Sequence, residues 1–183
     1  MTRLSYIERG QADPALHPIY DAAEGYGCFA NQIRTMAHCP PVLTHVMSLL
    51  VELRQTGQLI ARHVELLNVT VALANACDYC IAHHAPALKV QGMSDAGVAG
   101  LLDVADHPEL DDLDRLVVAY ALLINNEPHR ITDSFFDQLR ASFSEAQIAE
   151  LTWRIGLAGA FNRINHALDI EIESDVVQMD HAT

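Results

Sequence analysis

Between Val42 and Leu53 the apolar residues Val42, Leu43, Val46, Leu49, Leu50 and Leu53 recur at three- and four-residue intervals, the spacing of one helix face. The Pro40-Pro41 pair stops the element before it and starts this one, since proline fits the first helical turn. Gly57 breaks it. Residues 59–75 form a second, more apolar helix, and a turn near Asn75-Ala76 separates it from a third over Cys77–Val90. Gly92 ends the third as a left-handed cap. Ser94 then opens a short helix, with Gly97 where a capping box would carry a glutamate. Asp111–Ile124 is a helix with Leu113, Leu116, Val117, Tyr120 and Leu123/Ile124 on one side. Thr132 and Ser144 have the character of N-caps for two more helices, the last running from Glu145 to about Leu168 with a bend expected around Gly156 and Gly159.

Upstream, residues 1–13 read as a loose arm. A short helix follows Pro14, and another lies near Cys28–Ala37. Residues 174–183 read as a polar tail. No segment sustains the two-residue alternation of a strand, and no repeat or low-complexity linker interrupts the chain. The expectation is an all-α helical bundle in a single domain over residues 1–183.

Composition narrows the function classes. Half of the 183 residues are hydrophobic but only 6% are aromatic, a mix that suits packed helices. A formal charge of −13 argues against a nucleic-acid surface or an anionic membrane face, both of which need Lys and Arg that are scarce here. Met1–Gly10 lacks the apolar core of a signal peptide. Apolar stretches such as Val117–Ile124 are far short of the roughly 20 residues that cross a bilayer. The expected location is therefore cytoplasmic.

In that reducing setting the four cysteines are not expected to act as disulfide staples. Cys28 and Cys39 stand alone and read as structural. Cys77 and Cys80 form a C-x-x-C pair. If a helix begins at Cys77, then Cys77, Cys80 and His84 share a face, while His83 points about 100° away. A cysteine in the first turn meets unpaired N–H groups and the positive end of the helix dipole, which favour a thiolate. An imidazole one turn beyond Cys80 can exchange protons near neutral pH. Two sulfurs at this spacing can close a disulfide, so an oxidised one has a resolving partner. Glu65 sits in the apolar stretch Val64–Leu73. Facing solvent it is unremarkable, whereas inside it becomes a usable proton carrier, and the sequence leaves both open.

Glu65 followed by Cys77-x-x-Cys80-x-x-x-His84, with Gly92 downstream, resembles the site motif of the carboxymuconolactone decarboxylase and alkylhydroperoxidase-D superfamily. Leu66–Asn75, the Cys-x-Tyr-Cys context and the phrase Phe161-Asn162-Arg163-Ile164-Asn165-His166-Ala167-Leu168 resemble it too, so that the likeness spans residues 31–172. The resemblance implies a helical domain that assembles into homo-oligomers, trimers or hexamers. It also implies a peroxidase-type site with Cys80 as attacker, Cys77 as resolving thiol, and His84 and Glu65 as a proton relay. The small-molecule partners implied are a hydroperoxide and an external thiol or dithiol reductant, with no cofactor and no metal. The family often carries a second histidine between the cysteines, where this chain has Tyr79. Members that act as lactone decarboxylases typically lack the cysteine pair, which favours redox work here.

Other readings stay in view. A lactone decarboxylase would need cations for substrate carboxylates, such as Arg62, Arg163 or Arg34 of a neighbouring subunit. A redox sensor or binding module would change assembly on oxidation without fast turnover. Zinc held by Cys77, Cys80, His84 and Glu65 lacks a second knuckle. Trp153 reads as core or subunit interface, His83 as a surface or packing residue, and Asn162 and His166 either lie near a pocket or, the favoured reading, serve helix-end packing.

Overall fold

A computed structural model describes residues 2–24, 29–174 and 176, which contain nine α-helices and no strand. They are α1 (His17–Glu24), α2 (Ala30–Met36), α3 (Pro40–Thr56), α4 (Ala61–Ala74), α5 (Asp78–Val90), α6 (Asp95–Ala99), α7 (Asp112–Asn126), α8 (Asp133–Ser142) and α9 (Glu145–Leu168). The fold is all-α. Cys28 and most of the polar tail lie outside the described residues. No helix among them is long and apolar enough to cross a membrane.

The expected boundaries have local causes. Pro40 opens α3 at its first position and Gly57 caps its end. Thr132 accepts from the Phe135 N–H at the start of α8. Ser144 and Gln147 form a reciprocal capping box at the start of α9, the serine oxygen accepting from the Gln147 N–H and the glutamine oxygen from the Ser144 N–H. Gly92 has φ +94°, a left-handed conformation that costs glycine nothing.

The chain divides into two compact units. One comprises Met1–Gly57 together with Asn165–Gln178. Leu16, Tyr20, Ile33, Ala37, Leu43 and Met47 form its core. The N-terminal segment is tied in by the Tyr20 hydroxyl, which donates to the Ile7 carbonyl at 2.7 Å, and by the Arg3 N–H, which donates to the Leu168 carbonyl at 2.9 Å.

The other unit, Gln58–Ile164, contains every residue of the cysteine motif. Helix α4 packs against both α5 and α7, so it is buried nearly all round, and Leu66, Leu67, Val69 and Val71 are fully enclosed. On α7 the buried side is Asp114, Val117, Val118, Tyr120 and Ala121, while Leu113, Leu116, Leu123 and Ile124 are only half-buried. The predicted apolar stripe is thus rotated, because a charged residue takes an inner position. Asp114 is inside to meet Arg62 of α4, whose Nε and Nη2 donate to one carboxylate oxygen at 2.9 and 2.7 Å. The same guanidinium closes the carbonyls of Gln91 and Glu109, each at 2.9 Å. Trp153 on α9 is 70% exposed, so it is not part of this chain's own core.

At α6 the missing capping glutamate is supplied from farther along the chain. Ser94 accepts from the Gly97 N–H, and the Ser94 N–H donates to Glu109 at 2.8 Å. A Cβ at Gly97 would fall 2.7–2.8 Å from the Glu109 carboxylate, so glycine leaves room for that substitute cap.

His63 is buried beside Asp114, with Nε2 at 3.7 Å from its carboxylate, and sits edge-on to Phe143 at 5.7 Å. Burial holds the imidazole below its ordinary pKa of 6.5, against the upward pull of the Asp114 and Asp111 carboxylates. The unfolded chain therefore binds a proton at His63 that the folded chain resists. This contribution to stability is complete above pH 6.5 and is lost as the pH falls through the lower folded value. Denaturant unfolding between pH 7.5 and 5 is expected to show stability falling, with a shallower fall for His63→Gln. Equal slopes in the two proteins would contradict the assignment.

Candidate active site

The turn between α4 and α5 sets the position of Cys77. Asn75 caps α4, and Ala76 follows with φ 51°. The Ala76 N–H donates to the Leu73 carbonyl at 3.1 Å, and the Cys77 N–H donates to the Ala72 carbonyl at 2.9 Å. These are the two bonds of a Schellman motif, with alanine where glycine is usual. The backbone of Cys77 is therefore held by the end of α4. Helix α5 begins one residue later than the spacing suggested: Cys77 is its N-cap residue and Cys80 lies in its first turn. The electropositive helix start thus bears on Cys80 as well as on Cys77.

Both cysteines are buried, Cys77 at 1% and Cys80 at 5% exposure. Their sulfurs are 2.8 Å apart, the Cys77 thiol donating to Cys80. A disulfide needs about 2.05 Å between sulfurs, so closure takes a small side-chain movement. Among the described residues no group of three or more His, Cys, Asp or Glu side chains is arranged to hold a metal ion.

Glu65 does not project freely into solvent. Its carboxylate lies 2.9 Å from Nδ1 of His84, and the two side chains are 20% and 25% exposed. With Glu65 ionised, Nδ1 donates, which leaves Nε2 as the basic nitrogen of the neutral ring. His83 turns elsewhere: its Nδ1 lies 2.6 Å from the Tyr79 carbonyl, and its ring lies on the Tyr79 ring with centroids 4.2 Å apart. Tyr79, at the position between the cysteines, is 4% exposed.

For Asn162 of α9 helix-end packing was favoured over a place near a pocket. It is 1% exposed, and its amide Nδ2 donates to the Cys80 sulfur at 2.9 Å. The sequence signal was its place in the family-like phrase Phe161–Leu168, which does not reveal what the side chain faces. The arginines considered for a lactone substrate have other roles. Arg62 holds Asp114 and two carbonyls, Arg163 donates to the Gly159 carbonyl at 2.8 Å, and Arg34 pairs with Glu8 at 3.0 Å.

The chain matches the Carboxymuconolactone decarboxylase family over residues 40–109, a stretch that contains Glu65, Cys77, Cys80 and His84. It is 32% identical over 111 residues to the uncharacterized protein YnjA of Escherichia coli K12, a match that covers 57% of this chain and 58% of that protein. Its fold is similar to a peroxidase-related protein of Ralstonia eutropha JMP134 with an alkylhydroperoxidase AhpD core, at TM-score 0.83 and 17% identity over 97% of this chain and 98% of that one. It is also similar to the debrominase Bmp8, at TM-score 0.78 and 22% identity over 95% and 94% of the two chains.

Proposed function

We propose that this chain, which matches the Carboxymuconolactone decarboxylase family over residues 40–109 and shares the fold of an alkylhydroperoxidase AhpD core, is a thiol-dependent peroxidase of that superfamily. The observation that carries the reading is the buried sulfur pair at 2.8 Å, one helical turn from an imidazole already oriented by a carboxylate. In the proposed cycle the Cys80 thiolate attacks the terminal hydroperoxide oxygen. The O–O bond breaks, the alkoxide leaves with a proton as the alcohol, and Cys80 becomes a sulfenic acid. Cys77 attacks that sulfur, expelling water and closing the disulfide. An external dithiol then reduces the disulfide and is itself oxidised. His84, backed by Glu65, handles the protons: it accepts one when a thiolate forms and returns one to a leaving oxygen.

The proposed protein works in the cytoplasm as a homo-oligomer, with Cys80, Cys77, His84 and Glu65 as its catalytic set. A lactone decarboxylase is the weaker reading, since all three candidate arginines are engaged in structural contacts.

A dithiol is a two-electron reductant, and the oxidant it meets is set by what surrounds it. The test therefore offers the reduced protein one equivalent of an organic hydroperoxide or, separately, of a brominated pyrrole, and follows free thiols and intact mass. Rapid loss of two thiols to a Cys77–Cys80 disulfide with hydroperoxide is the expected result. Thiols that oxidise no faster than a small free dithiol would sink the peroxidase reading, and reaction with the brominated pyrrole alone would replace it with reductive dehalogenation.

A further inference from the structure

We infer that Asn162 is the group that holds Cys80 as a thiolate, and that Asn75 and Asn125 act through it by fixing which end of its amide faces the sulfur. The inference rests on Cys80 being the reactive sulfur, and not on the identity of its oxidant.

A thiolate at Cys80 is nearly out of reach of water, so the protein must supply what solvent would. The donors that converge on the sulfur include the Asn162 amide at 2.9 Å and the Cys77 thiol at 2.8 Å. Hydrogen bonds to a charged acceptor are the strong ones, and they favour the charged form. The benefit depends on orientation. With the amide turned over, a carbonyl oxygen would face the sulfur and favour the protonated thiol instead.

Two further asparagines fix that orientation. Asn75 Nδ2 donates to Asn162 Oδ1 at 2.9 Å and to Asn125 Oδ1 at 2.9 Å. Asn125 Nδ2 donates back to Asn75 Oδ1 at 3.0 Å and to Asn126 Oδ1 at 2.7 Å. Turning Asn75 over would set its oxygen against the oxygens of both partners. The linked amides of Asn162, Asn75, Asn125 and Asn126 therefore run one way, and all would have to turn together to set the Asn162 oxygen against Cys80. Gly159 keeps the space this needs: a Cβ there would lie 3.2 Å from Asn125 Oδ1 and 2.8 Å from Arg163 Nη1. Asn75 is also the cap residue of the turn that seats Cys77. One side chain and its backbone thus bear on both sulfurs.

Asn162 touches the reacting atom, whereas Asn75 and Asn125 are positioning residues. The measurement is the pH profile of alkylation by iodoacetamide on the fully reduced full-length chain, resolved to Cys80 by mass mapping. Here the thiol loses its proton to buffer and the thiolate displaces iodide. Asn162→Ala is expected to slow alkylation at pH 7 by roughly tenfold and move the profile to higher pH, the consequence of losing one charge-assisted bond. Asn75→Ala and Asn125→Ala are expected to move it the same way by about threefold, the partial loss that follows when the amide is no longer oriented.

An Asn162→Ala profile that superimposes on the unaltered protein overturns the inference. A shift in Asn162→Ala with no shift in either of the other two overturns the orienting role. A lower melting temperature with an unmoved profile counts as structural and overturns it too. Should Asn162→Ala fail to fold, Asn125→Ala at the half-buried end of α7 decides: a shifted profile supports the inference and an unmoved one overturns it. No hydroperoxide enters this assay, so its failure and the failure of the peroxidase reading are separate results.

Discussion

Replacing Cys80 by serine is expected to lower hydroperoxide turnover by a factor of about a thousand or more, because an alcohol offers no comparable nucleophile near neutral pH. The serine oxygen would still receive the Asn162 amide and sit in the first turn of α5, so geometry is kept and nucleophilicity is lost. Cys77→Ser separates the two sulfurs. Cys80 then reacts once, and the sulfenic acid persists until an external thiol reaches it. One equivalent of peroxide should be consumed quickly per chain, followed by slow turnover that rises with reductant concentration. A sulfenic-acid trapping reagent should label Cys80 in that variant and not in the parent. Retention by Cys80→Ser of more than about a tenth of the parent rate would show that the attacking sulfur has been misassigned.

The largest effect on stability is expected from Arg62→Ala. It leaves the Asp114 carboxylate, 2% exposed, without its guanidinium and strips the donors from the carbonyls of Gln91 and Glu109. Breaking a buried pair from one side costs about 3–5 kcal/mol, and the partly exposed arginine puts this case near the lower end. For a chain of this size that corresponds to a melting temperature lower by roughly 10 °C. Arg62→Lys should recover little, since an ammonium cannot reproduce the fork that reaches one carboxylate and two carbonyls at once. Arg62→Met combined with Asp114→Leu should recover much of the loss, because no buried charge is left unpaired. A melting temperature unchanged in Arg62→Ala would mean that water satisfies these groups. Any loss of activity in the single variant is expected to track unfolding.

The sequence was most legible where the signal is local. Thr132, Ser144, Pro40 and Gly57 mark helix ends through their own backbone chemistry, and the structure uses them in that way. The pairing of Cys77 with Cys80 followed from helical spacing, and Glu65 stood out as a carboxylate inside the apolar stretch Val64–Leu73. What the spacing could not reveal was its partner, since solvent exposure and an inward turn toward His84 fit the same apolar stretch.

Legibility ended where contacts join residues far apart in the chain. Asn75, Asn125 and Asn162 come from the ends or middle of three helices, and none carries a spacing rule that links it to the others. Asp114 sat among polar neighbours at the start of α7, so nothing local set it apart as buried. The cap of α6 looked incomplete because its glutamate, Glu109, arrives fifteen residues later instead of three. In each case a polar group is satisfied by tertiary geometry, and periodicity does not encode that.

Glu65, Cys77, Cys80 and His84 all come from the single α4–α5 hairpin, and the Asn162 amide reaches Cys80 from another helix. Such packaging has a consequence for inheritance. Under the proposed redox reading, the four residues form a cassette that can be kept while the surfaces around it are rebuilt. On that reading, a change in what is reduced would require no change in the pair of sulfurs that does the reducing.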